Sequence, residues 1–270
     1  MPELAEVEYY RRQAEDKALD RPIVQVLAPD AWYLKRGLTA EAVAAALEGR
    51  SLIAARRRGK LLLLDTSTLP GEADGAAGPV LGLRFGMTGR LVVDGAPAVD
   101  HLRYSSSEPR PQWDRFTLRF ADGGSLAVRD PRRLGGVELE AGTDRLGPDA
   151  LTITPSALDR VLGASRAPVK ARLLDQARIA GVGNLAADEA LWRAGLDPAR
   201  AAGDLTPVER RRLHRHLQAT MADLLAGGGS HTGDLMASRH PGGTCPRDGA
   251  PLLRRTVGGR TTFSCPVHQR

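Results

Sequence analysis

The chain has 270 residues, 42% of them apolar, and a net charge of +6 from 38 Lys+Arg against 32 Asp+Glu. That length holds one large or two to three small domains, and no apolar run approaches the ~18 residues of a membrane span. Two cysteines, Cys245 and Cys265, exclude a disulfide scaffold and fit a reducing cytoplasm. A pI near 9.8 suits a polyanionic partner, nucleic acid before membrane, although an Arg-biased composition with only four lysines accounts for part of the excess.

The chain opens Met1-Pro2-Glu3. Pro2 is small enough for the initiator Met to be removed, which leaves a secondary amine beside a carboxylate. An α-amino group titrates near ~7.7–8, against ~10.4 for Lys, so a larger share is nucleophilic at neutral pH. Such an amine can attack an electrophilic sugar carbon and form an iminium, and Glu3 is placed to move protons beside it. Taken alone, the same residues also describe a frayed terminus.

Glu3 to Leu19 reads as a helix, with Val7, Tyr10, Ala14 and Ala18 along one face. A strand follows at Ile23 to Leu27, then a helix from Ala40 to Leu47 capped by Thr39 and stopped by Gly49. Ser51 to Asp65 reads as two antiparallel strands around a turn near Arg58-Gly59, which presents Lys60 beside three arginines. That cluster is a solvated surface or a phosphate contact. Strands from Val80 to Phe85 and Arg90 to Val93 flank Gly86-Met-Thr-Gly89, where Met87 either sits at a turn tip or folds into the core. Trp113 to Phe120 alternates, with Phe116, Leu118 and Phe120 on one face, and Asp122-Gly-Gly124 turns the chain into Ser125 to Arg129. Asp130 to Gly136 then leaves the sheet with two arginines beside an apolar Leu134. That is a surface loop or a pair of the kind that grips phosphate and wedges into a base stack.

Helices dominate after Leu146-Gly-Pro148. One starts at Pro155 with Thr154 as cap, and another runs from Pro168 through Lys170 to Ala177. Gly181-Val-Gly-Asn184 leads into a helix from Leu185 to Ala194, and a helix N-terminus suits a phosphate. Thr206-Pro-Val-Glu209 is a capping box that opens a helix to Ala226. The tail from Arg239 to Arg270 holds six arginines and one acid, Asp248, and so carries +5 of the total charge. It reads Cys245-x-x-Asp248, sixteen residues, then Cys265-x-x-His268, a zinc-ribbon plan with Asp and His at two of the ligand positions. A metal-bound finger and a metal-free hairpin held by Leu252, Leu253 and Phe263 are both compatible with it.

Taken together, the segments Met1 to Glu8, Arg58-Gly-Lys60, Gly86 to Gly89, Asp130 to Gly135, Leu146-Gly-Pro148, Asp175 to Glu189 and Gly259 to Phe263 resemble, in order, the formamidopyrimidine-DNA glycosylase/endonuclease VIII family. The resemblance covers nearly the whole chain. It implies an α+β multidomain fold. The parts are an N-terminal β-sandwich with flanking helices over 1–135, a linker over 136–152, a helix–two-turn–helix domain over 153–238 and a zinc-finger-like β-hairpin over 239–270. It implies a base-excision-repair glycosylase with AP lyase activity, working as a cytoplasmic monomer, nucleoid-associated if bacterial, on double-stranded DNA with a flipped damaged base or an abasic site.

Within that family pattern Pro2 attacks C1′, Glu3 assists sugar opening and proton transfer, and the iminium permits β,δ-elimination. Lys60, counted with this catalytic pair, and Lys170, Asn184 and Arg260 match phosphate-gripping positions. Met87, Arg132 and Leu134 match the residues that fill the gap left by the flipped base. Cys245, Asp248, Cys265 and His268 are the expected zinc ligands. The chain departs from the pattern at Ala5, Arg84, Leu134, Ala186 and the two non-cysteine finger positions. A short Gly227–Cys245 segment leaves little room for the lesion-capping loop of the 8-oxoguanine type, so oxidised or ring-opened pyrimidines, abasic sites or bulky lesions are the expected substrates. The alternative is a non-catalytic damage-binding protein of the same fold.

Overall fold

The structure, a computed structural model, describes residues 2–72, 77–99, 102, 108 and 110–270. It forms two compact units, one of Met1–Pro2 with Glu6–Thr143 and one of Glu3–Ala5 with Asp144–Arg270. Among the described residues no helix is long and apolar enough to cross a membrane.

The first unit is a β-sandwich. Its strands are β1 Ile23–Leu27, β2 Leu52–Arg58, β3 Leu61–Thr66, β4 Leu81–Arg84, β5 Arg90–Val93, β6 Ala96–Pro97, β7 Asp114–Phe120, β8 Ser125–Arg129 and β9 Gly136–Leu139. One antiparallel sheet runs β1-β7-β8-β5-β6 and the other β2-β3-β4-β9. Alternation decides which side chains fill the space between them. Phe116, Leu118 and Phe120 of β7 share a core with Leu62 and Leu64 of β3. Leu61 and Leu63 are buried on the other face of β3, which is why that strand reads as an unbroken apolar run. Helix α1, Leu4–Lys17, adds Val7, Tyr10, Ala14 and Ala18 at helical spacing. Helix α2, Ala40–Leu47, begins where Thr39 Oγ1 accepts the Ala42 N–H at 3.1 Å.

The loop from Asp130 leaves the sheet of β8, as expected, and enters the opposite sheet of the sandwich. Gly136–Leu139 pairs with β4 as β9, so the sandwich extends into the segment read as linker.

The second unit holds α3 Pro155–Leu162, α4 Val169–Leu174, α5 Asn184–Ala194, α6 Pro207–Ala226 and the hairpin β10 Leu253–Val257 with β11 Arg260–Ser264. Leu4 and Ala5 belong to its core, with Val182, Ala186, Leu191 and Leu217. Helix α4 stops at Leu174, short of the expected Ala177. There the Asp175 carboxylate accepts the Ala177 N–H, and Gln176 bonds both the Gly181 N–H and the Val182 carbonyl, closing a loop in place of another helical turn. The Thr206–Glu209 capping box forms as expected. The hairpin turns on Gly258 and Gly259, whose φ of 58° and 71° make a two-residue turn with both positions left-handed.

Candidate active site and metal centre

Pro2 is buried, and Glu3 beside it is only 2% exposed. The Glu3 carboxylate accepts the N–H groups of Leu185 at 2.9 Å and Ala186 at 3.1 Å. These are first-turn donors of α5 that the helix itself cannot satisfy, and the positive end of the helix dipole favours a carboxylate there. The anion on these two N–H groups is therefore the protein's own. A Cβ on Gly183 would lie 2.0 Å from Glu3 Cδ, so the second glycine is required for the carboxylate to approach.

Lys60 is the second residue of the two-residue β2–β3 turn and is half-exposed. The arginines before it are not a loose basic patch. Arg56 pairs with Asp65 across the strands at 2.6 Å. Arg57 donates to Glu8 at 2.9 Å and to the Gly59 carbonyl at 2.9 Å, bracing the turn that carries Lys60. Burial alone pushes the Glu8 carboxyl up, but hydrogen bonds from Arg57 and Arg11 outweigh it and hold the group below its ordinary value.

Met87 is half-buried in its turn, Arg132 is exposed, and Leu134 is 49% exposed. Arg133, between the last two, has a left-handed φ of 56°, and its guanidinium grips Asp30 through two bonds of 2.6 Å. The Arg133 hydrogen bond holds the Asp30 carboxyl below its ordinary value. The paired arginines are thus distinct: one anchors the loop and the other faces solvent. No local sequence signal separates them.

Lys170, which matches a phosphate-gripping position, is fully buried. Its Nζ lies 2.6 Å from Asp188 Oδ1 and donates to Thr262 Oγ1 at 2.7 Å and to the Thr261 carbonyl at 3.3 Å. Burial, which disfavours the ammonium, lowers its pKa despite Asp188. Arg239 completes the group, donating to Asp188 Oδ2 at 2.8 Å and to the Thr261 carbonyl at 3.1 Å. Asn184 Nδ2 donates to the same carbonyl at 3.1 Å. Three side chains therefore hold the backbone next to Arg260, which is exposed at the start of β11.

Sequence reasoning missed Asp188 and Arg239. Its only signal was Asp188-Glu189 inside an otherwise apolar helix. Glu189 is also fully buried and accepts the N–H groups of Asp234 at 3.1 Å and Leu235 at 3.0 Å.

In the tail, Cys245, Asp248, Cys265 and His268 each offer one ligand atom, all within 4.8 Å of one another. Asp248 Oδ2 is 3.2 Å from Cys265 Sγ and 3.0 Å from His268 Nδ1. Both cysteines are free thiols, and backbone N–H groups of Arg247 and Val267 point at their sulfurs at 3.4 Å. Trp192 Nε1 reaches Cys245 Sγ at 3.4 Å, and its carbonyl lies 3.1 Å from His268 Nε2. Two convergent thiols, one carboxylate and one imidazole with outer hydrogen bonds in place can hold a metal ion.

The family model described as the formamidopyrimidine-DNA glycosylase N-terminal domain matches residues 1–137, and that of the glycosylase's H2TH domain matches 146–234. The formamidopyrimidine-DNA glycosylase of Paracoccus denitrificans is 34% identical, with 100% of both chains covered. That of Thermus thermophilus is 35% identical, covering 100% of this chain and 98% of the relative. Among solved structures, Lactococcus lactis Fpg (MutM) in complex with DNA containing N7-benzyl-Fapy-dG aligns with a TM-score of 0.82 at 26% identity over 100% of both chains. The Lactococcus lactis formamidopyrimidine-DNA glycosylase bound non-covalently to abasic-site DNA aligns at 0.80 and 27% identity over 99% of each chain. The chain belongs to the formamidopyrimidine-DNA glycosylase family.

Proposed function

We propose that this chain, a base-excision-repair DNA glycosylase by family, is bifunctional and also cleaves the strand as an AP lyase. The supporting observation is the anchoring of Glu3 to the α5 N-terminus, which holds the residue next to Pro2 in one place. With Met1 removed, the Pro2 nitrogen lone pair attacks C1′ of the flipped nucleotide as the bond to the base breaks. Opening of the sugar ring, with Glu3 moving the proton, leaves an iminium. Loss of the C2′ proton then expels one phosphate by β-elimination, and δ-elimination expels the other. Lys60, Asn184 and Arg260 contact phosphates, while Met87, Arg132 and Leu134 fill the gap left by the base.

The donor set favours zinc at the Cys245–Asp248–Cys265–His268 cluster. The ion would brace a hairpin with little core of its own, and the carboxylate, a harder ligand than thiolate, makes the site weaker than one of four cysteines. Elemental analysis of protein purified without chelator reads this directly: about one zinc per chain is expected, and zinc-free folded protein overturns it. Bacterial relatives support action on chromosomal DNA in the cytoplasm.

The Gly227–Cys245 segment is held by Glu189 and buries Leu235 and Met236. This supports a preference for oxidised or ring-opened pyrimidines, abasic sites or bulky lesions. A lesion panel in which 8-oxoguanine opposite C is excised fastest overturns that preference.

Borohydride trapping on an abasic-site duplex, run on protein whose intact mass shows Met1 removed, tests the lyase. A covalent adduct lost in Pro2→Gly is expected, and no adduct with the processed protein rules out the chemistry.

A further inference from the structure

Asp130 is fully buried and has no part in the chemistry above. Its Oδ1 accepts the Thr88 hydroxyl at 2.5 Å and the Arg132 N–H at 3.2 Å, and its Oδ2 accepts the Gly135 N–H at 2.8 Å. Thr88 follows Met87 in the turn between β4 and β5. Arg132 and Gly135 flank Leu134 in the loop between β8 and β9. One carboxylate therefore ties together the two loops that carry the three proposed gap-filling side chains. The backbones are equally close: a Cβ on Gly86 would lie 2.4 Å from the Leu134 carbonyl carbon, and Gly86 has a left-handed φ of 56°. Thr88 is itself 1% exposed, so water does not stand in for its hydroxyl.

We infer that Asp130, through Thr88, is a positioning residue for base excision, fixing the spacing of Met87 against Arg132 and Leu134 so that the three enter the duplex as one unit. The inference rests on the gap-filling reading of those residues. Filling the gap matters when a stacked, paired base must be extruded and far less when the base is already missing. A loop misplaced by about 1 Å can cost on the order of 100-fold in rate. A lost Thr88 bond should therefore be felt in excision and barely in cleavage of a preformed abasic site.

The test compares single-turnover excision from a duplex carrying an oxidised pyrimidine with strand cleavage of the same duplex carrying a preformed abasic site. Thr88→Val keeps the shape and removes the donor. Excision is expected to fall about tenfold, the scale of one charge-assisted hydrogen bond, with abasic-site cleavage within about twofold and with Thr88→Ser restoring excision. If Thr88→Val does not fold, Thr88→Ala supplies the same comparison. Unchanged excision in folded variants, or equal losses on both substrates, overturns the inference. Met87→Ala and Leu134→Ala run in parallel. If they slow excision while Thr88→Val does not, the Asp130 link alone fails. If neither slows excision, the gap-filling reading fails and takes the link with it.

Discussion

Each unit is organised around one fully buried aspartate, and the two are held differently. Asp130, in the sandwich, is met by neutral donors, among them the Thr88 hydroxyl and the backbone N–H groups of Arg132 and Gly135, 42, 2 and 5 residues away in sequence. Asp188, in the helical unit, is met by two cations, Lys170 and Arg239, and by the Phe263 N–H 75 residues away. Neutral donors suit a carboxylate that closes two turns running between the sheets of one sandwich, because the backbone offers N–H groups there at no desolvation cost in charge. Drawing a separate hairpin onto a helix needs longer side chains, and those that reach are charged. The cations must then be buried with their partner. Such a group is costly to break and contributes little net stability when intact.

The largest expected effect breaks the second arrangement. Asp188→Ala leaves two buried cations without their anion, a loss of about 3–5 kcal/mol. Denaturant unfolding should show it as a lower midpoint, and the hairpin amides should lose hydrogen-exchange protection first. A cost under about 1 kcal/mol would mean that the cations find other partners and that Asp188 is not the hub.

Asp130→Asn is the matched change in the sandwich and should cost less, about 1–3 kcal/mol, the range for leaving one buried polar group unsatisfied. An amide oxygen in place of Oδ1 can still accept the Thr88 hydroxyl and the Arg132 N–H, which leaves the Gly135 N–H as the donor without an acceptor. If the two variants cost the same, the distinction between neutral and ionic hubs is wrong.

These two residues also mark what could be read along the chain. Strand and helix limits were legible wherever periodicity or a local cap sets them: Thr39, Thr154 and the Thr206–Glu209 box lie within four residues of the N–H groups they satisfy. The hairpin turn at Gly258-Gly259 is equally local. Partners set by tertiary approach were not legible. Glu3 caps a helix 182 residues away. Lys170 looks like any basic residue on a short helix until Asp188 and the hairpin enclose it. Arg132 and Arg133 are chemically identical neighbours, and only the position of Asp30 makes one an anchor. Family motifs pointed to the right stretches without separating a residue that faces solvent from one that positions it.

Glu209 combines both kinds of partner at the surface of the helical unit. Its carboxylate accepts the Thr206 N–H at 2.8 Å and hydroxyl at 2.9 Å, and it also pairs with Arg200 at 2.6 Å. The Arg200 hydrogen bonds, ahead of the cap donors, lower its pKa from 4.5 to about 2. Because the folded value is depressed, the stability that the charge contributes is full above pH 4.5 and is lost as the pH falls toward 2. Glu209→Gln keeps the cap geometry and removes the charge, so at pH 7 it should cost no more than about 1 kcal/mol. Thermal unfolding of both proteins from pH 7 to pH 2 should show the gap closing across that window. A gap that persists at pH 2 would assign the effect to the cap and not to the ion pair.

The smallest expected effect on stability falls at Arg260, where the ionic hub meets its proposed use. Its side chain is exposed, while the neighbouring Thr261 carbonyl is held by Lys170, Asn184 and Arg239. Arg260→Ala removes a solvated guanidinium and leaves that anchorage intact, so unfolding should change by no more than about 0.5 kcal/mol. Binding should respond instead. One phosphate contact fewer weakens affinity for any duplex sequence and lowers the slope of log K against log salt by about one. Asp188→Ala, measured where it is still folded, should lower the same slope, because a loosened hairpin no longer holds Arg260 at the phosphate. If Arg260→Ala leaves both affinity and slope unchanged, the hairpin does not grip the backbone, and the buried cations serve the fold alone.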